Sequence, residues 1–259
     1  MIAIKCELCG SNDMEMIGEF FVCRYCGMKY SKAQAQRIIV QGKVEVTGNV
    51  RIDNSELLEK HLQNARRALS MGDWDNSKKF FSLAEELAPN NIEALFYRLY
   101  SDCRQHLTLL DFAQLAAALR LFEKALPAIF SSLREMGFEK NYKLINQLIG
   151  DVRQLPKSYH ESIYSSGAAR RSASLFQVDA FNMIWSVLRT FVFLLGEAAL
   201  NQQFQFETYR VSLCNVAADF ARYLFNAGKA APHVRKLSEM IRACDQIVHQ
   251  YNEKKKSST

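Results

Sequence analysis

The sequence predicts a mainly α-helical protein: a small β module at the N-terminus, a short connecting strand, then a long helical body. Three observations lead there. The chain of 259 residues is 49% hydrophobic and 23% charged with only 11 Gly and 4 Pro, a composition that suits helices and a sizeable core. Four of its seven cysteines fall within the first 26 residues. At Ser55 the apolar pattern changes from alternation to helical spacing. Collagen-like, disordered and disulfide-dense classes are excluded.

The first module reads Cys6-Glu7-Leu8-Cys9-Gly10 and, after thirteen residues counted from Cys9, Cys23-Arg24-Tyr25-Cys26-Gly27. Two residues between thiolates let one tight turn aim both sulfurs at a point, and two such turns supply the four tetrahedral ligands that zinc prefers. Glycine after each pair suits a chain that must reverse. Glu19-Phe20-Phe21-Val22 and Met28-Lys29-Tyr30 read as the short strands around the second turn. The pattern is that of a zinc ribbon which, together with a short helix that follows it, fills residues 1–40. It predicts one structural zinc ion on Cys6, Cys9, Cys23 and Cys26. Iron on the same four thiolates is the rival metal. A redox Cys-X-X-Cys would sit singly in a larger α/β unit. With all four positions filled by sulfur, the site has no room for water or substrate, which makes it structural.

The ribbon also raises nucleic acid as a partner. Lys5, Arg24, Lys29 and Lys32 suit phosphates, and Phe20, Phe21, Tyr25 and Tyr30 suit stacking on bases. Glu7, Asp13, Glu15 and Glu19 neutralise the module, however, and so small a fold needs its aromatics as a core. The net charge of +6 adds little. Its largest excess, 12 Lys+Arg against 8 Asp+Glu, lies in residues 158–259, where Lys254, Lys255 and Lys256 supply three charges.

Residues 41–54 follow as a connecting strand. Lys43 to Asp53 alternate apolar and polar residues. A hairpin at Gly48-Asn49 would put Val46 opposite Arg51 and split the apolar residues between two faces, whereas a continuous strand keeps Val44, Val46, Val50 and Ile52 together. A lone strand needs an edge to pair with, either the ribbon or a second copy, so residues 43–53 are a route to a homodimer.

From Ser55, read as an N-cap, apolar residues recur at Leu58, Leu62, Ala65 and Leu69. Gly72-Asp73-Trp74-Asp75 breaks the pattern, and a second helix carries Phe80, Phe81, Ala84 and Leu87 up to Pro89. Leu58 to Asn91 is thus a helix, a turn, a helix and a proline stop. The segment resembles a tetratricopeptide repeat: Gly72 lies at the inter-helix turn, Trp74 at the usual aromatic, Phe81 and Ala84 at packing positions and Pro89 at the close. Ser77 departs from the usual alanine, and Asn64-Ala65 from the leucine-glycine pair. Over residues 1–100 the order of ribbon, strand and repeat resembles bacterial proteins that join a zinc ribbon to tetratricopeptide units. That resemblance implies metal binding and a protein partner.

One repeat cannot bury its apolar faces alone, so further helices must stack on it. The sequence places them at Ile92 to His106, Leu109 to Met136 with Pro127 as a kink, Tyr142 to Leu155, Phe176 to Asn201, Phe204 to Ala227 and Val234 to Tyr251. Residues 55–164 form the repeat-like region and 175–252 a helical bundle. The small, polar, basic residues 165–174, with Arg170-Arg171, link the two, and 253–259 is a disordered basic tail.

Ala180 to Leu200 is the most membrane-like stretch, but Asn182, Arg189 and Glu197 interrupt it, and it reads as a core helix. Met1 to Glu7 lacks the apolar run of a secretory signal. Cys103, Cys214 and Cys244 sit alone in helical patterns. These features place the chain in the cytoplasm, without stable membrane insertion. His61, His106, His160, His233 and His249 are scattered, and no phosphate loop, nucleophile elbow or metalloprotease motif occurs. The expectation is a non-enzymatic interaction scaffold. Phe191, Phe193, Phe204, Phe206, Tyr209, Phe220, Tyr223 and Phe225 read as core packing rather than a ligand groove.

Overall fold

In the computed structural model the chain divides into two units, residues 1–53 and 54–259. The structure describes residues 6, 8, 13–31, 34, 54–166 and 174–257. The strand expected over residues 41–54, with its dimer edge at 43–53, and most of the linker at 165–174 lie outside the described residues. The protein is mainly helical, with a small N-terminal antiparallel sheet, as its composition and periodicity predict.

The first unit holds three strands, β1 (Met14–Ile17), β2 (Phe20–Cys23) and β3 (Lys29–Ser31), in the order β1-β2-β3. Gly18-Glu19 makes the β1–β2 turn, so that Ile17 faces Phe20 and Met14 faces Cys23. Phe21 faces Tyr30 across β2 and β3. Because successive side chains alternate between faces, Cys23, Phe21, Tyr30 and Met14 share one face of the sheet. There Cys6, Cys23 and Tyr30 are buried, with Met14 and Phe21 packed against them. After β3, Gln34 N–H donates to Ser31 Oγ at 3.3 Å while Ser31 N–H donates to Gln34 Oε1 at 3.0 Å. This reciprocal pair has the form of a capping box, and the short helix expected after the ribbon lies, beyond Gln34, outside the described residues.

The second unit contains, among the described residues, α1 (Ser55–Met71), α2 (Trp74–Leu87), α3 (Ile92–Thr108), α4 (Phe112–Met136), α5 (Tyr142–Ser165), α6 (Leu175–Asn201), α7 (Glu207–Asn226) and α8 (Val234–Ser257). Asn54, not Ser55, occupies the N-cap of α1. Gly72 ends α1 with φ at 71°, a left-handed conformation that a side chain would strain. The α1–α2 turn is shorter than expected, because Asp73 already caps α2 by accepting from Asn76 N–H at 3.2 Å. Asn91 and Asp111 cap α3 and α4 in the same way, and Ser174 with Gln177 forms a capping box on α6.

Helices α1 to α4 pack each on the next. The chain order then breaks: α4 packs chiefly on α6, while α5 lies against α3 and α6. The two helices run parallel, since Arg120 pairs with Asp179, and Glu123 accepts from Ser186 at 2.7 Å and from Thr190 at 2.8 Å. Phe130 meets Phe191 edge-on further along. One core therefore runs from Leu62 to Cys244. By length and composition α6 could cross a membrane, yet Val187, Leu188, Phe191 and Leu195 are buried within this core.

Two helices outrun their predicted ends. The sequence reading ends the fifth at Leu155, but α5 continues to Ser165. Pro156 gives up one backbone bond. Beyond it Tyr159 is buried and donates to Gln177 O at 2.8 Å, which anchors the second half. The basic tail, predicted disordered from Glu253, is helical to Ser257. Lys254, Lys255 and Lys256 complement the negative end of the helix dipole, and Lys256 reaches Glu253 at 3.0 Å.

The departure of Ser77 from the repeat pattern has a partner. Its hydroxyl, fully buried on α2, lies 2.8 Å from that of Ser101 on α3, also fully buried. Ser77→Ala is expected to cost about 1–3 kcal/mol by leaving Ser101 without that bond, whereas Ser77→Ala with Ser101→Ala costs less than either single change. A double-mutant cycle by urea denaturation measures this, and additive losses would contradict it.

Helix α5 is tied to α3 by Tyr97, which donates to Asp151 Oδ2 at 2.7 Å. Burial pushes the Asp151 carboxyl above its ordinary range, against the opposing pull of Tyr97 and Arg104. The native state therefore holds this proton more tightly than the unfolded chain, and Asp151 loses stabilising effect as pH rises through the carboxylate range. Asp151→Asn keeps an acceptor for Tyr97. Its Tm is expected to gain on the parent's as pH rises from 3 to 7, and a constant difference would contradict the assignment.

Candidate metal centre

Three of the four predicted ligands meet. The sulfurs of Cys6, Cys23 and Cys26 lie within 4.8 Å of one another, and those of Cys6 and Cys26 are 3.5 Å apart. Four thiolates at about 2.3 Å around one ion would stand about 3.8 Å apart, so the spacing fits a tetrahedral all-sulfur site. The three residues could hold a metal ion. Cys9 lies outside the described residues.

The second cysteine pair is positioned by the β2–β3 connection. Cys23 ends β2, and its N–H donates to Met28 O at 2.9 Å. The chain folds back so that Gly27 N–H donates to Cys23 O at 2.8 Å. Gly27 takes φ of 72°, which is the freedom expected of a glycine after a cysteine pair. Arg24 N–H donates to Asp13 O at 2.9 Å and fixes this turn to the start of β1. Cys6 and Cys23 are buried, while Cys26 is at the surface.

Tyr30 is in the module core, as the sequence predicts, and what the sequence does not announce is the place of its hydroxyl. The residue was expected as core or as a stacking aromatic; its ring is buried, and its hydroxyl lies 3.2 Å from Cys6 Sγ. The signal available in the sequence was weak: a tyrosine on the strand after the second pair, facing Phe21 and so sharing the face of Cys23.

Among the described residues suited to nucleic acid, Phe21 and Tyr30 are committed to the module core, whereas Phe20 and Tyr25 are exposed. Arg24 is engaged by Glu15 at 2.8 Å, and the guanidinium beside it holds the Glu15 carboxyl below its ordinary range. Lys5 and Lys32 lie outside the described residues.

The other three described cysteines are in the helical core. Burial pushes the Cys103 thiol far up, and the bond between Cys244 and Cys214, with burial behind it, pushes Cys244 up and draws Cys214 down. None of the three joins a cluster of metal-ligating side chains among the described residues. The aromatic set divides: Phe191 and Phe220 are fully buried, Phe193, Phe204, Tyr223 and Phe225 pack against the core, and Phe206 is exposed. In comparisons with known proteins, no family model, no curated protein and no solved structure matches this chain.

Proposed function

We propose that the protein is a non-enzymatic, cytoplasmic, zinc-binding interaction scaffold. A structural zinc ion on Cys6, Cys9, Cys23 and Cys26 folds the N-terminal ribbon, and the tetratricopeptide-like helical body binds another protein. The observation that carries the metal half is the convergence of Cys6, Cys23 and Cys26 in a module whose described apolar core is Tyr30, Met14 and Phe21 around those cysteines. So small a module needs a staple to fold, and a thiolate-bound ion supplies one. Zinc is favoured among metals by all-sulfur tetrahedral ligation.

The partner half rests on the successive packing of α1 to α4 and on the repeat-like residues Gly72, Trp74, Phe81 and Ala84. Affinity purification of the full chain from its native cell tests it. A protein retained after nuclease treatment and through high salt is the expected result, and it should bind the purified chain directly. Recovery of nothing above background would contradict this reading. Capture of nucleic acid, with affinity falling steeply as salt rises, would replace it with a nucleic-acid adaptor acting through the ribbon.

A further inference from the structure

The ligands of the metal centre are not equivalent. Cys6 and Cys23 are buried, at 1% and 0% exposure, whereas Cys26 is at the surface. A thiolate facing water is solvated. A buried one is not, and it needs a hydrogen-bond donor in place of water. At Cys6 a donor stands ready: Tyr30 Oη is 3.2 Å from Cys6 Sγ, and its ring is itself only 6% exposed. The pairing of β3 with β2 fixes that ring on the sulfur-bearing face, beside Phe21 and Met14. The hydroxyl is therefore held by the sheet rather than by a mobile loop.

We propose, resting on the zinc reading above, that Tyr30 is a positioning residue of the metal centre: its hydroxyl donates to the Cys6 thiolate and anchors it, so that among the three described ligands the exposed Cys26 is the one through which the ion exchanges. Donation to a ligating sulfur draws off negative charge, fixes the direction of its lone pairs and lowers its reactivity. Residues that orient ligands in this way typically contribute 10–100-fold to metal affinity. Cys26 lies on the surface turn that Gly27 closes and has the most direct access to solvent and to competing ligands among the three described.

Two measurements on the full chain test this. Tyr30→Phe removes one oxygen and keeps the ring. In competition with a chromophoric chelator it is expected to weaken zinc binding about ten-fold. In the cobalt-substituted protein it should move the sulfur-to-metal charge-transfer band to lower energy, which loss of packing alone would not do. Unchanged affinity together with an unmoved band would overturn the proposal. The second measurement needs no variant: limited iodoacetamide treatment of the zinc-loaded parent, followed by peptide mass spectrometry, should find Cys26 alkylated well before Cys6 and Cys23. Alkylation of Cys6 first, or at the same rate, would also overturn it. A parent chain that takes up no zinc would instead overturn the metal reading on which the proposal stands.

Discussion

Cys23→Ser is expected to abolish metal binding and unfold the N-terminal module while the helical body keeps its structure. Cys23 is fully buried, ends β2 opposite Met14 and supplies one of the three converging sulfurs. Without the ion, the described core of the module is reduced to Tyr30, Met14 and Phe21 around the cysteines. Apparent binding energies of structural zinc run to about 10–16 kcal/mol, as large as the whole stability of an ordinary domain, so metal loss is decisive for so small a fold. The helices form a separate compact unit with a core of their own. Amide correlation spectra check both halves. Signals from residues 13–31 should collapse to unfolded positions, while those of α1 to α8 stay in place. Dispersed ribbon signals in the metal-free variant would contradict the assignment.

The second large effect is expected at Phe96. Its ring is fully buried on α3, meets Phe122 of α4 edge-on at 5.1 Å, and lies 5.1 Å from Tyr97 and 6.2 Å from Tyr100. Tyr97 in turn stacks on Phe81 of α2 at 5.4 Å and holds Asp151 of α5. Truncation at this junction removes apolar burial, leaves a cavity and loosens the packing of three helices at once. Phe96→Ala is expected to cost about 3–5 kcal/mol, measured as a lowered midpoint in urea at unchanged slope. A loss below about 1 kcal/mol would mean that this junction is not the packed core described. Metal content is expected not to change, because Phe96 and the cysteine cluster belong to different compact units.

The features legible in the sequence are those written in local spacing. Two Cys-X-X-Cys pairs announced the site, and three of their four sulfurs do converge. Helical periodicity located all eight described helices, and the turn at Gly72-Asp73 was marked by its residue types. Strand β1 escaped notice because Met14 to Ile17 is too short to show an alternation. The second half of α5 was missed because its anchor, the bond from Tyr159 to Gln177 O, has no local signature. The parallel packing of α4 on α6 had no local signature at all, since it joins residues about sixty positions apart, such as Arg120 and Asp179. Ser77 was visible as an oddity, but its meaning waited on Ser101, twenty-four residues away. The hydroxyl of Tyr30 beside Cys6 was hidden in the same way, by a fold that brings distant residues together.

The central claim is an all-sulfur zinc centre that folds the ribbon. Elemental analysis and X-ray absorption at the zinc edge, made on the purified full chain without added metal, test it most directly. The account predicts one zinc ion per chain surrounded by four sulfurs at about 2.3 Å. A chain purified without zinc that fails to bind it when it is supplied, or a centre with nitrogen or oxygen ligands in place of sulfur, would contradict it.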